Sequence, residues 1–326
     1  MTAVLGRMSR VRRLAAQLPQ GARQQTGPGR RDRRRRGVTP AAASPRLLKA
    51  LRRLVVAYGP LTVALGIAAV VDPRTLMGEP VWVKPLKFSV SIGLNGAALL
   101  WLVTRSPATP FVRGAALLSA LGLLVEQALI MLQAARGVRS HFNTGTAFDG
   151  AVFAGMGASL VAGVGVATVA LAVVFVLRPP QDPVLARVAR SGLGLLLLGF
   201  VVGAVMLARG GHLVGAADGG PGLPLVGWST VAGDLRPAHF VGLHGLQALI
   251  VVAHVLRHVP VPTRLAILRT LTWGVAGLVA ALTGQALAGA PVLSASSALV
   301  AVATAAATGA GARSARRPAH TPVVSR

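Results

Sequence analysis

From residue 54 onward the chain alternates long apolar stretches with short polar ones. Apolar segments cover 54–71, 86–104, 114–135, 151–177, 192–208, 240–255, 268–288 and 291–308. Most approach the ~20 residues that carry a helix across a bilayer. Glycine and alanine are frequent in them, which suits helices that meet closely without a hydrophobic drive between them. The pattern predicts an all-α, polytopic membrane helix bundle of about eight transmembrane helices, with a structured outer loop between spans five and six. The eighth segment is rich in Ala, Ser and Thr and gives the least transfer energy, so seven is the alternative count. The expected organisation is a basic tail over 1–50, a transmembrane bundle over 51–310 and a second tail over 311–326.

Composition agrees. The chain is 53% hydrophobic and 13% charged, against about 25% charged in soluble domains. It has no cysteine, which excludes disulfides, thiolate metal sites and cysteine nucleophiles. The net charge of +26 invites a nucleic-acid reading, but its distribution argues otherwise. Residues 1–53 concentrate arginine, including RRDRRRR at Arg30–Arg36, with Asp32 as their one acid. This segment has no aromatic residue to stack on bases and no signal-peptide apolar run. It reads as a disordered cytoplasmic tail attracted to anionic lipid head groups, with Met8 as an alternative start. No specific nucleic-acid partner is expected.

With that tail inside, the positive-inside rule orients the bundle. The inner connections 105–113, 178–190 and 257–269 are short and basic, and carry Asp182 as their single acid. The outer connections 72–85, 136–150 and 209–239 hold Asp72, Glu79, Asp149, Asp218 and Asp234. The expectation is a cytoplasmic-membrane protein with both termini inside.

Polar residues interrupt this pattern in four places. Glu126 lies ten residues before Arg136, so at about 1.5 Å each it sits about 15 Å deep. A carboxylate there is expensive and should face the bundle with a partner; Gln133 shares its face. It is either a proton carrier or a hydrogen-bonded packing residue. Next, the chain has three lysines among 34 basic residues, and Lys84 and Lys87 fall in one motif. With Ser91 and Asn95 they form a single helical stripe. They are either functional ammonium groups or interfacial anchors beside Trp82. The third segment, 136–150, offers Arg139, Ser140, His141, Asn143, Thr146 and Asp149. Most of these are ordinary turn residues, and Asp149 is either a site residue or a cap of the fourth span. The fourth, 211–244, contains His212, Asp218, Asp234, Arg236, His239 and His244, among glycines and prolines that suit turns. So long a connection is usually functional or disordered; its interleaved Leu, Val and Trp favour a folded cap.

Glu126, Lys84, Lys87, Asp149, Asp218, Asp234 and Arg236 are therefore candidate catalytic groups. His212 and His244 are candidate cofactor ligands, and His141, His212, His239 and His244 candidate metal ligands. The histidine spacing is not diagnostic, and a metal or a haem both stay open. Three stretches, WVKPLKFSVSIGL, QAARGVRSHFNTGTAFD and GHLVGAADGGPGLPLVGWSTVAGDLRPAHFVGLHGLQ, together resemble a family of multi-pass bacterial membrane proteins of unassigned function. The resemblance runs from about residue 81 to 247 and implies an integral membrane protein without naming an activity. Three functions remain: a metal- or haem-dependent membrane enzyme with an outward-facing His/carboxylate/Lys site, a proton-coupled transporter using Glu126, or an accessory protein docking an unidentified partner through the 209–239 loop.

Overall fold

A computed structural model of the chain describes residues 45–106 and 109–294. In chain order its helices are α1 (Pro45–Val71), α2 (Val83–Val103), α3 (Pro110–Ala135), α4 (Ala147–Leu177), α5 (Pro183–Ala208), α6 (Arg236–Leu243), α7 (Gly245–Val255) and α8 (Val261–Leu287). Six of these, α1 to α5 and α8, are long and apolar enough to cross a membrane. The bent pair α6–α7 makes a seventh crossing if counted as one, with a 43° bend at its break. This build fits a multi-pass membrane protein. The segments read as spans one to five and seven fall on single helices, and span six falls on the bent pair. The eighth segment beyond residue 294, the basic tail to residue 44 and the tail over 311–326 lie outside the described residues.

The helices begin earlier than the apolar segments. α3 starts at Pro110 rather than 114, and α5 at Pro183 rather than 192. In both, a polar cap precedes a proline at the first helical position. Thr109 Oγ accepts from Val112 N at 3.2 Å, and Asp182 Oδ1 from Val184 N at 2.8 Å. Such caps satisfy the free N–H groups of the first turn, and proline there forgoes no hydrogen bond. Arg113 in α3 and Arg187 and Arg190 in α5 interrupt the apolar run near these starts, so hydropathy alone places them too late.

The packed apolar core lies toward the 104–109 and 178–182 connections. Leu102, Val103, Val112, Phe175, Val188, Leu193, Leu246 and Leu268 are all buried in one cluster there. Glycines set two close crossings. α4 opens into a π turn at Ser159–Gly165, where a Cβ on Gly163 would lie 2.9 Å from Gly122 Cα on α3. On the other side, a Cβ on Gly242 of α6 would lie 2.6 Å from Gly199 Cα on α5. These contacts let backbones approach where dispersion is the main attraction between helices.

At the opposite end of the bundle, two small antiparallel ladders order the connections. β1 (Thr75–Leu76) pairs with β2 (Glu79–Pro80) around Met77 and Gly78, both at positive φ as a tight hairpin turn requires. β3 (Leu213–Val214) pairs with β4 (Gly233–Asp234) and closes the base of the 215–232 segment. A further bridge joins Gly222 to Ser229. The long glycine-rich connection is therefore hydrogen-bonded to itself.

Candidate functional site

The α2 stripe supplies one wall of this polar end. Lys87 Nζ donates to Glu79 Oε2 at 3.1 Å and to the carbonyl of Val226 at 3.2 Å, tying the hairpin and the long connection to the helix. One turn further, Ser91 Oγ lies 2.9 Å from His244 Nε2 at the α6–α7 break. Asn95 faces Gln247, whose amide donates to Asn95 Oδ1 at 3.4 Å in one orientation and to the carbonyls of Leu243 and His244 in the other. The stripe expected from the spacing thus faces the bent helix pair.

The 136–146 connection does not stay at the surface. Gly137 and Phe142 adopt positive φ, and the chain turns back between the helices. His141 enters a box of Phe88, Phe142 and Phe153, with ring centroids 5.8–6.3 Å away. Its Nε2 comes within 3.3 Å of Glu126 Oε1, and its Nδ1 lies 3.1 Å from Ser140 Oγ. Glu126 is 1% exposed. Its Oε2 accepts from Ser159 Oγ at 3.4 Å, at the first residue of the π turn. Oε1 lies off the hydrogen-bonding line of His141 and has no bonded partner. Burial pushes the His141 pKa well below its ordinary value, and the charges of Lys84, His239 and His212 push it the same way. Burial therefore favours the neutral form of the His141 imidazole beside Glu126.

The 210–235 segment is tied to the 136–146 connection through Arg139 and to α2 through Lys87. Asp234 Oδ2 accepts from Ser229 N at 2.9 Å and from Arg236 at 2.6 Å; its Oδ1 accepts from Arg236 N at 3.0 Å. Burial raises the Asp234 pKa, but the Arg236 guanidinium and these backbone donors outweigh it and leave the carboxyl below its usual range. Arg236 also donates to the Gly227 carbonyl at 2.5 Å. Asp218 bridges two segments, with Arg139 at 2.6 Å and His212 Nε2 at 3.2 Å. Burial, helped by Arg236 and opposed by Asp218 and Asp234, brings the His212 pKa down to about 4.

The structure brings Lys84, Lys87, Glu126, His141, His212, Asp218 and Arg236 to this one end, with Arg139 and Glu79 among them. Asp149 lies at the same end with partners of its own. It accepts from Gln133 Nε2 at 2.9 Å, Arg136 at 2.5 Å and Thr146 Oγ at 2.8 Å, a staple between α3 and α4. Its expected capping role is corrected: Thr146 caps α4, accepting from Asp149 N at 3.1 Å. Reading from sequence missed Ser159, Gln127 and the Asp72–Arg74–Trp82 cluster. In that cluster Trp82 Nε1 donates to Asp72 at 2.8 Å and Arg74 donates to the Ala135 carbonyl at 2.9 Å. Ser159 and Gln127 carried a signal, as polar side chains inside apolar runs; the Asp72–Arg74–Trp82 cluster did not.

The metal and haem assignments meet a geometric test. Among the described residues, no three His, Asp or Glu side chains converge as a metal set would. His239 Nδ1 is bonded to the Gly199 carbonyl at 2.7 Å, His244 Nε2 faces Ser91, and His212 Nε2 faces Asp218. The helix starts at Arg236 and breaks at His244, so His239 and His244 address different neighbours, α5 and α2. Among the described residues the four expected ligands do not converge on one metal position.

No family profile, curated protein or solved structure matches this chain.

Proposed function

We propose that the chain is a multi-pass membrane carrier that couples movement of a solute to a proton exchanged between Glu126 and His141. One observation carries the reading: a carboxylate 1% exposed inside the bundle lies 3.3 Å from an imidazole brought down from a connection. Acids at such depth are costly and persist where they serve a pathway or relay. The folded-back 136–146 segment gives that acid a route to the polar end. The adjoining π turn, hydrogen-bonded to Glu126 through Ser159, is a helix irregularity of the kind found at functional sites. Charge supports placing the polar end outside. Asp72, Glu79, Asp218 and Asp234 lie there, while Arg105, Arg113, Arg178, Arg187 and Arg190 lie toward the other. Metal- or haem-dependent catalysis has less support, because among the described residues no three His, Asp or Glu side chains converge.

The test is uptake into proteoliposomes holding the full chain, screened over small organic acids, amino acids and cations with and without an inward acid gradient. The expected result is accumulation of one solute class that requires the gradient and is lost in Glu126→Gln. Accumulation indifferent to the gradient, or preserved in Glu126→Gln, overturns the proposal.

A further inference from the structure

Other cations at the polar end have a carboxylate in contact. Lys87 meets Glu79 at 3.1 Å, Arg139 meets Asp218 at 2.6 Å, and Arg236 meets Asp234 at 2.6 Å. Lys84 is different. It lies within Coulombic reach of Glu126, Arg236, Lys87 and Arg139, yet its ammonium makes no hydrogen bond or ion pair among the described residues. Glu126 does not serve as its contact partner, since the carboxylate oxygens face His141 and Ser159. Lys84 also sits in the first turn of α2, where no side chain caps the free N–H groups. That turn adds the positive end of a helix dipole to the ammonium.

Two acceptors nearby are unmatched in the opposite sense. Glu126 Oε1 and Gln127 Oε1 are both buried without a donor. Gln127 Nε2 donates to the Pro85 carbonyl at 3.3 Å, which holds its amide against the same turn of α2. Buried polar atoms are rarely left unpaired, and one that is calls for an explanation. A bare anion would answer Lys84 and leave both acceptors orphaned. A simple cation would answer the acceptors and be repelled by Lys84 and the neighbouring arginine side chains.

We infer that Lys84 holds the anionic group of the solute, and that the solute is a small carboxylate that also carries a hydroxyl or amino donor. The carboxylate sits on the Lys84 ammonium, and the donor faces Glu126 and Gln127. The inference rests on reading this end as the solute site, and it names the class of solute.

Because the chain holds only Lys49, Lys84 and Lys87, amine labelling can be followed residue by residue. The full chain in phosphatidylcholine nanodiscs is labelled with an amine-reactive reagent, and each lysine is quantified by mass spectrometry. Lys49 is exposed and serves as the internal reference. Glycolate at ten times its half-effect concentration is expected to slow Lys84 labelling about tenfold, with Lys49 unchanged and acetate much less effective. Lys84 labelling unaffected by glycolate overturns the inference and leaves an interfacial anchor. Equal protection by acetate overturns the donor half of the assignment. Protection by glycolate together with uptake indifferent to a pH gradient sinks proton coupling alone. Gradient-dependent uptake without protection sinks the solute class alone.

Discussion

Asp234→Asn isolates what holds the 210–235 segment over the site. The carboxylate side chain is fully buried and takes four donors: Ser229 N, Arg236 N and two guanidinium nitrogens. Asparagine keeps the size but offers one oxygen, and turns an NH₂ toward either a guanidinium or a backbone N–H. Breaking a buried ion pair by removing one partner costs about 3–5 kcal/mol. The Arg236 side chain is 32% exposed, so water recovers part of that, and about 2–3 kcal/mol is expected here. The loss should fall on segment opening rather than on the bundle, whose apolar cluster lies at the other end. At about 1.4 kcal/mol per tenfold, amide exchange in peptides from 211–235 should speed up by about 30-fold or more, with α3 and α5 unchanged. Trp228 packs 6.2 Å from Phe240, so its emission should shift to the red in parallel. Exchange in 211–235 that stays at the wild-type rate would refute the argument that this pair clamps the segment. The pH dependence has a definite sign. The folded Asp234 pKa is below the ordinary 3.8, so its contribution is full above that value and is lost as pH falls through the lower folded one.

His212 gives a second pH window. Its folded pKa of about 4 lies below the ordinary 6.5, so the opened segment binds the proton more readily than the closed one. Closure should weaken progressively as pH falls from 6.5 to 4 and hold steady above; exchange in 211–235 that is flat across that window contradicts the assignment. Gly163→Ala places a methyl group 2.9 Å from Gly122 Cα and should cost about 1–3 kcal/mol by overpacking. It should appear as a lower thermal midpoint in detergent, whereas Gly150→Ala, with open space around it, should leave the midpoint in place.

Hydropathy alone set the crossings, because a helix in lipid must be apolar along its length and leaves a run near 20 residues. Glu126 stood out for the same reason: an acid in such a run has no solvent to explain it. The Lys84–Lys87–Ser91–Asn95 stripe was legible too, since helical spacing fixes which residues share a face. Helix starts at Pro110 and Pro183 were hidden, because capping and proline chemistry add no hydropathy signal. The folding of 136–146 into the bundle was decided only in three dimensions. The sequence shows His141 fifteen positions from Glu126, on a connection that turn statistics assign to the surface, and nothing local marks the positive φ at Phe142. Pairing was equally a tertiary matter. Sequence shows which charges exist, but Asp149 went to Gln133 and Arg136 while Asp218 went to Arg139 and His212. A buried charge settles on whichever partner the packing brings within reach, and packing is a property of the assembled bundle. For that reason composition and periodicity determined that this chain is a bundle of apolar helices with polar groups gathered in a few segments. Only the assembled structure decided that Glu126 meets His141, that among the described residues no three His, Asp or Glu side chains converge, and that Lys84 has no carboxylate in contact there.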